Sequence, residues 1–207
     1  MARGFDLPAA LPLFPLPGAV LLPRGHLPLH IFEPRYLQMI EDVLKTPDRM
    51  LGMIQPLGDG LARVGTGGRI VAFSEEDDGR LMISLRAVSR FRLIEAQEGF
   101  APYLRGQVDW SGFDADKGPE EQDRDFDREP FLKRLGQYMA EHELTTDWQA
   151  LSGAADEVLI NALSQLLPLP PEEKQALLEA ATLAERRALL AGLIEYDLRS
   201  DGEETLQ

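Results

Sequence analysis

The chain reads as α+β: a β-rich N-terminal part, barrel or sandwich, followed by a bundle of short helices. Three observations predict this. Aliphatic residues recur at every second position in several stretches before residue 110, and at spacings of three and four after residue 130. The charge changes at the same place. Residues 1–110 hold 12 basic and 13 acidic side chains, and residues 111–207 hold 9 and 22. The expected organisation is a β part over 1–112, an acidic loop over 113–129, a helical part over 130–199 and a frayed tail over 200–207.

The elements follow in order. Leu27-Pro28-Leu29-His30-Ile31-Phe32 alternates like a strand with one buried face, and Pro28 makes it an edge or a strand start. After Pro34, suited to a first helical turn, Leu37, Ile40 and Leu44 mark a helix that ends at Thr46-Pro47-Asp48. Strands over Arg69–Phe73 and Leu81–Leu85 flank Asp78-Gly79, a hairpin signal. Phe91 and Leu93 keep the parity of Leu81, and Ser89 breaks it, marking a bend. Leu104, Val108 and Trp110 alternate in a last strand.

Residues 114–129 carry eight acidic and three basic side chains around Gly118-Pro119 and read as a solvated loop. Four amphipathic helices are expected beyond it. The first carries Phe131, Leu135, Tyr138 and Met139. The second carries Val158, Leu159, Ala162, Leu163 and Leu166, and stops at Pro168. The third runs through Leu177 and Leu178. The fourth opens at the capping box Thr182-Leu183-Ala184-Glu185.

Composition excludes several functions. The 207 residues carry a formal charge of −14, which opposes nucleic acid and anionic membrane as main ligands. The absence of cysteine rules out disulfides, thiolate metal sites and thiol catalysis, and fits a reducing compartment. Residues 7–23 are uncharged but are broken by five prolines, so they form neither a signal-peptide core nor a span. The expected location is cytoplasmic.

Chemistry-bearing motifs are scarce. Gly65-Thr66-Gly67-Gly68 lacks the lysine of a phosphate loop and precedes a strand, which reads as a bulge or tight turn. His26, His30 and His142 show no metal-binding spacing, and no nucleophile elbow exists. No cofactor or metal is expected. The densest local pattern is His30-Ile31-Phe32-Glu33-Pro34-Arg35-Tyr36, where a strand turns into a helix. A structural reading has Glu33 and Arg35 pairing while Phe32 and Tyr36 pack. If that pair is partly buried, truncating Arg35 costs roughly 1–3 kcal/mol. A functional reading makes His30, Phe32, Glu33, Arg35 and Tyr36 a polypeptide-contacting corner.

These residues also carry a family resemblance. Leu11-Pro12-Leu13-Phe14-Pro15-Leu16-Pro17, Val20-Leu21-Leu22-Pro23 and the run from Leu27 to Tyr36 resemble the amino-terminal domain of Lon proteases, and its stand-alone and ring-finger-associated members most of all. Gly52-Met53-Ile54, Val64-Gly65-Thr66, Arg90-Phe91-Arg92-Leu93, Glu172-Glu173-Lys174-Gln175 and Glu185-Arg186-Arg187 follow in the same order, so the likeness spans roughly residues 10–199. It departs at Ala87, where a glycine is expected. The resemblance implies a PUA-like β pseudo-barrel followed by a C-terminal helical bundle, and a non-enzymatic role in binding polypeptide substrates or partner proteins. Association with an ATPase or protease in trans is the wider expectation, since no residue pattern for either reaction is present. The alternative is a small-molecule or RNA binder of the PUA-like type, with Arg86, Arg90 and Arg92 as a local basic strip. Fold analogy alone supports that alternative.

Overall fold

The computed structural model describes residues 7–99 and 101–204. Among the described residues eight strands form: β1 (Ala10–Pro15), β2 (His26–Ile31), β3 (Met50–Ile54), β4 (Pro56–Leu57), β5 (Gly60–Leu61), β6 (Val64–Glu75), β7 (Leu81–Gln97) and β8 (Arg105–Asp109). The first helix, α1, spans Pro34–Leu44.

The main sheet has the order β2-β7-β6-β3-β1-β8, and β8 also pairs with β7. Strands β6, β3, β1, β8 and β7 therefore close a ring. Closure is possible because β7 is 17 residues long: its first half pairs with β2 and its second half with β8. The early halves of this system, β7 with β2 and the end of β6, extend past the ring as a three-stranded flap. The Asp78-Gly79 turn joins β6 to β7 as its sequence predicts, with Gly79 at φ +81°.

The glycine run lies inside β6, and the pairing shifts register between Gly67 and Gly68, which is the bulge the sequence suggests. The glycines are steric necessities there. A Cβ on Gly65 would come within 2.6 Å of the Phe91 ring, and one on Gly67 within 2.5 Å of Trp110. Ala87, opposite Gly68, sits at the same irregularity and donates its N–H to the Gly25 carbonyl at 2.9 Å.

Strand β1 is a proline-rich segment with no alternation, yet Leu11, Leu13 and Phe14 are buried. Its first residues pair with β8 and its last with β3, so the two prolines fall at the ends of the two ladders. Helix α1 covers one end of the ring, where Tyr36, Met39, Ile40 and Val43 pack on Phe14, Leu51, Ile83 and Leu85.

A 3-10 turn over Asp114–Lys117 follows, and then five helices rather than four: α2 (Arg128–Glu141), α3 (Trp148–Gly153), α4 (Asp156–Leu166), α5 (Pro171–Glu179) and α6 (Leu183–Glu204). The unforeseen α3 is too short to show a helical period; Asp147 caps it by accepting from the N–H groups of Gln149 and Ala150. The expected stripe on α4 is rotated. Leu159, Ile160 and Leu163 are buried, whereas Val158 and Leu166 are exposed. At α6, Glu185 donates its N–H to Thr182 Oγ1 at 3.2 Å, and its own carboxylate accepts from Ala181 N, one residue before the position a capping box implies. The helix runs to Glu204, past the start of the expected frayed tail; residues 205–207 lie outside the described residues.

The two parts meet along a polar seam. Arg90 of β7, 2% exposed, forks onto Asp116 with Nη2 at 2.9 Å and donates Nη1 to the carbonyls of Leu178 and Ala180. Gln55 donates to the Pro171 carbonyl, Gln175 to the Val64 carbonyl and Asn161 to the Pro23 carbonyl. Val20, Leu22, Val64, Phe113 and Leu178 form the apolar part of the same seam. The acidic segment is thus no solvated loop throughout. Asp116 and Asp123 are buried because cations from the two parts, Arg90 and Arg187, meet them at 2.9 and 2.6 Å.

Candidate functional site

The strand-to-helix corner forms where β2 runs into α1, with Pro34 as the first helical residue and Glu33 at the N-cap. Glu33 makes no cap hydrogen bond with its side chain. Its Oε2 instead accepts from Arg35, at 2.9 Å from Nε and 2.8 Å from Nη2. Both side chains are about half exposed, 54% for Arg35 and 44% for Glu33. The guanidinium carbon lies 4.5 Å above the Tyr36 ring. Tyr36 is buried against Phe14, with ring centroids 4.4 Å apart. That burial pushes its phenol above the ordinary pKa, opposed by Arg35.

The five residues of the corner therefore do not act as one cluster. Tyr36 belongs to the core. Arg35 and Tyr36 border a cleft of about 340 Å³ whose other wall includes Pro15, Tyr103 and Leu104. Across it, the Tyr103 hydroxyl donates to Asp42 Oδ2 at 2.9 Å, which holds the Asp42 carboxyl below its usual pKa. His30 and Phe32 lie on the opposite parity. His30 pairs with Met82, while its neighbours Leu29 and Ile31 pair with Ile83 and Leu81 toward the core. Its imidazole Nδ1 is 3.9 Å from Glu76 Oε1. Phe32 does not pack, and 64% of it is exposed. Its strand ends one residue earlier, at Ile31.

Sequence reading overlooked the flap's other exposed apolar side chains. Met82 shares the face of its pair His30, Val71 is exposed at the β6 bulge, and Phe73, 55% exposed, pairs with Ile83 and so lies on the other face, where the hairpin runs beyond the core. The signal was available only as length: twelve-residue β6 and seventeen-residue β7 are longer than the ring needs. The proposed basic strip does not form. Arg86 is exposed and Arg92 donates to the Ser111 carbonyl, but Arg90 faces the seam, because the helical part covers that side of β7. Among the described residues no group of three or more His, Asp or Glu side chains could hold a metal ion, and no helix is long and apolar enough to cross a membrane.

Comparison with known proteins places this geometry. The profile of the ATP-dependent protease La (LON) substrate-binding domain matches residues 10–195. The chain belongs to this family. Two relatives align along 91% of the chain: Lon protease 2 of Myxococcus xanthus at 26% identity, and Lon protease of Anaeromyxobacter dehalogenans at 24%. The chain spans about a quarter of the length of these curated relatives, 24% and 23%. A solved Lon N-terminal domain protein from Xanthomonas campestris is 30% identical, covers 88% of this chain and 97% of its own, and superposes with a TM-score of 0.59. The N-terminal domain of a Mycobacterium avium complex Lon protease, 16% identical with a TM-score of 0.63, covers 90% of this chain and 98% of its own, and shows the shared fold. The mixed α+β architecture is thus that of Lon N-terminal domains.

Proposed function

We propose that this Lon-type domain is a non-catalytic module that binds exposed apolar segments of other polypeptides, in the cytoplasm, and that it works beside an ATPase or protease in trans. The observation that carries the reading is the flap, which holds Phe32, Val71, Phe73 and Met82 in solvent next to the β2–α1 corner. These side chains are about half exposed, so covering them would recover roughly half of the ~1.5–3 kcal/mol of full burial each, which a polypeptide partner would supply. His30 and Phe32 contact the bound chain in this reading, and Glu33 and Arg35 flank it. Tyr36 supports the corner from inside. The RNA alternative loses its basic strip with the burial of Arg90.

The test is the affinity of the wild type and a Phe32→Ser/Phe73→Ser variant for reduced, carboxymethylated α-lactalbumin, a permanently unfolded protein. At least tenfold weaker binding with an unchanged unfolding midpoint is expected. Equal affinities would remove the flap from the binding surface.

A further inference from the structure

We infer that the free edge of β2 takes an extended segment of the bound polypeptide as an added strand, with one of its apolar side chains seated between β2 and α4. This rests on the polypeptide-binding reading above and specifies its geometry. β2 pairs with β7 on one side and has no strand partner on the other among the described residues.

Three observations fix which backbone groups face that open side. The Gly25 carbonyl accepts from Ala87 N of β7, so odd-numbered residues address the sheet and even-numbered ones point away. Gln165 of α4 donates Nε2 to the His26 carbonyl at 2.8 Å from the open side. Pro28, which has no N–H, stands at an outward position, so the β2–β7 ladder loses nothing and the open edge offers its carbonyl alone at that residue. The Gln165 amide thus already does, at the first outward residue, what the peptide group of a neighbouring strand would do. The carbonyl of Pro28 and both backbone groups of His30 continue the same row.

Edges exposed in this way are usually guarded by charge or by proline, and here Pro28 removes one donor while the carbonyl of Pro28 and both groups of His30 stay open. Residues 25–32 contain no Asp, Glu, Lys or Arg, so a backbone can approach without stripping water from an ion. At the start of the edge lies a crevice of about 190 Å³ between Pro23 and His26 on one wall and Val158, Ala162 and Leu166 on the other. It is smaller than the 300–1,000 Å³ or so of a small-molecule site and matches one large side chain. Leu166, 74% exposed, forms its rim. Backbone bonding along the edge with a side-chain pocket at alternate spacing is how an extended peptide is read, and a helical or folded partner could not use both.

The experiment measures amide exchange across the full chain with saturating reduced, carboxymethylated α-lactalbumin, and the affinity of an Ala162→Phe variant that fills the crevice. A solubilised Leu/Val heptapeptide, and the same peptide methylated on alternate backbone nitrogens, serve as second probes. The expected result is at least tenfold slower exchange at the His30 amide, at least fivefold weaker binding by Ala162→Phe with its unfolding midpoint retained, and loss of binding on N-methylation. Binding with His30 exchange and Ala162→Phe affinity both unchanged would overturn the edge geometry and leave the flap reading standing. No binding of either probe would overturn both. Protection of His30 that grows with protein concentration alone would assign the edge to a second copy of the chain and overturn the inference.

Discussion

Arg90 and Arg186 donate to the same carbonyl, that of Ala180, at 2.7 and 3.2 Å. One guanidinium comes from strand β7 and the other from helix α6, and both are almost fully buried. Ala180 is the C-cap of α5, where the helix dipole presents its negative end. Arg90 has Asp116 as its counter-ion, whereas Arg186 bonds Asn161 Oδ1 and the carbonyls of Leu177 and Ala180. Burial, with Arg90 beside it, pulls the Arg186 pKa down to about 10, so it stays charged at neutral pH.

Removing Asp116 therefore leaves two buried cations against one helix end. Asp116→Ala should cost about 3–5 kcal/mol, the range for breaking a buried pair on one side. Asp116→Asn should recover part of it, since an amide oxygen still accepts from Arg90. Denaturant midpoints of the three proteins check this; an unchanged midpoint in Asp116→Ala would mean the seam holds without the pair.

Arg35→Ala should be mild. The Glu33–Arg35 pair forms, but both partners are half exposed, so the cost is about 0–1 kcal/mol and not the larger loss a partly buried pair implies. A midpoint shifted well beyond this would return the corner to a scaffold role. An unchanged midpoint with weakened binding of the unfolded client would place Arg35 at the bound chain.

Gly65→Ala should destabilise by at least ~1–3 kcal/mol. The added methyl meets the Met53 carbonyl oxygen at 2.5 Å and the Phe91 ring at 2.6 Å, so backbone must move, and overpacking of this kind has that cost. Thermal unfolding of the variant measures it.

Glu173 gives a pH signature. Burial, then Asp197 and Glu172, raise its pKa. A carboxylate raised in the native state opposes folding when ionised, and the penalty disappears as pH falls through the raised native value. Glu173→Gln should accordingly stabilise at pH 7, and its advantage should vanish by about pH 4, where the unfolded-state carboxyl is also protonated. Asp42 runs the other way. Lowered chiefly by the Tyr103 hydrogen bond, it contributes stability above the ordinary aspartate range that is lost as pH falls through its native value. Tyr103→Phe should reduce that acid dependence in midpoints taken at pH 6 and 3, leaving the part held by Gln38 and Lys45.

The seam should make unfolding a single event. Trp110 reports on the ring, where its Nε1 donates to the Pro8 carbonyl, and Trp148 reports on the helices, beside Gly136. Trp110→Phe and Trp148→Phe variants should give coincident transitions by fluorescence and circular dichroism. Separated midpoints would show two independent units.

Much of the fold was legible because it follows from local pattern. Alternation located β2, β7 and β8, and Asp78-Gly79 located the hairpin. Strand β1 was not legible, since Pro12 and Pro15 mask its period, and α4 was legible with the wrong face because Val158 and Leu166 extend its apolar stripe. Arg90 illustrates the main gap. Its parity is opposite to that of Phe91, which points into the ring, so strand pattern alone assigns it to solvent; only the packing of a distant helical part over β7 buries it. The corner residues stand out in the sequence, but their division between core, rim and open face depends on how far β6 and β7 outrun the ring.

The acceptors along the seam are mostly carbonyls of the main chain: those of Pro23, Val64, Pro171, Leu178 and Ala180. A main-chain carbonyl is present whatever side chain accompanies it, so these hydrogen bonds survive replacement of the residues that supply the acceptors, provided Val64 and Leu178 stay apolar and the few donors Gln55, Arg90, Asn161 and Gln175 are kept. The architecture is in this sense insulated from sequence drift. A helical part exchanged with that of a distant relative should dock if those donors and the Asp116 counter-ion travel with their own half of the seam.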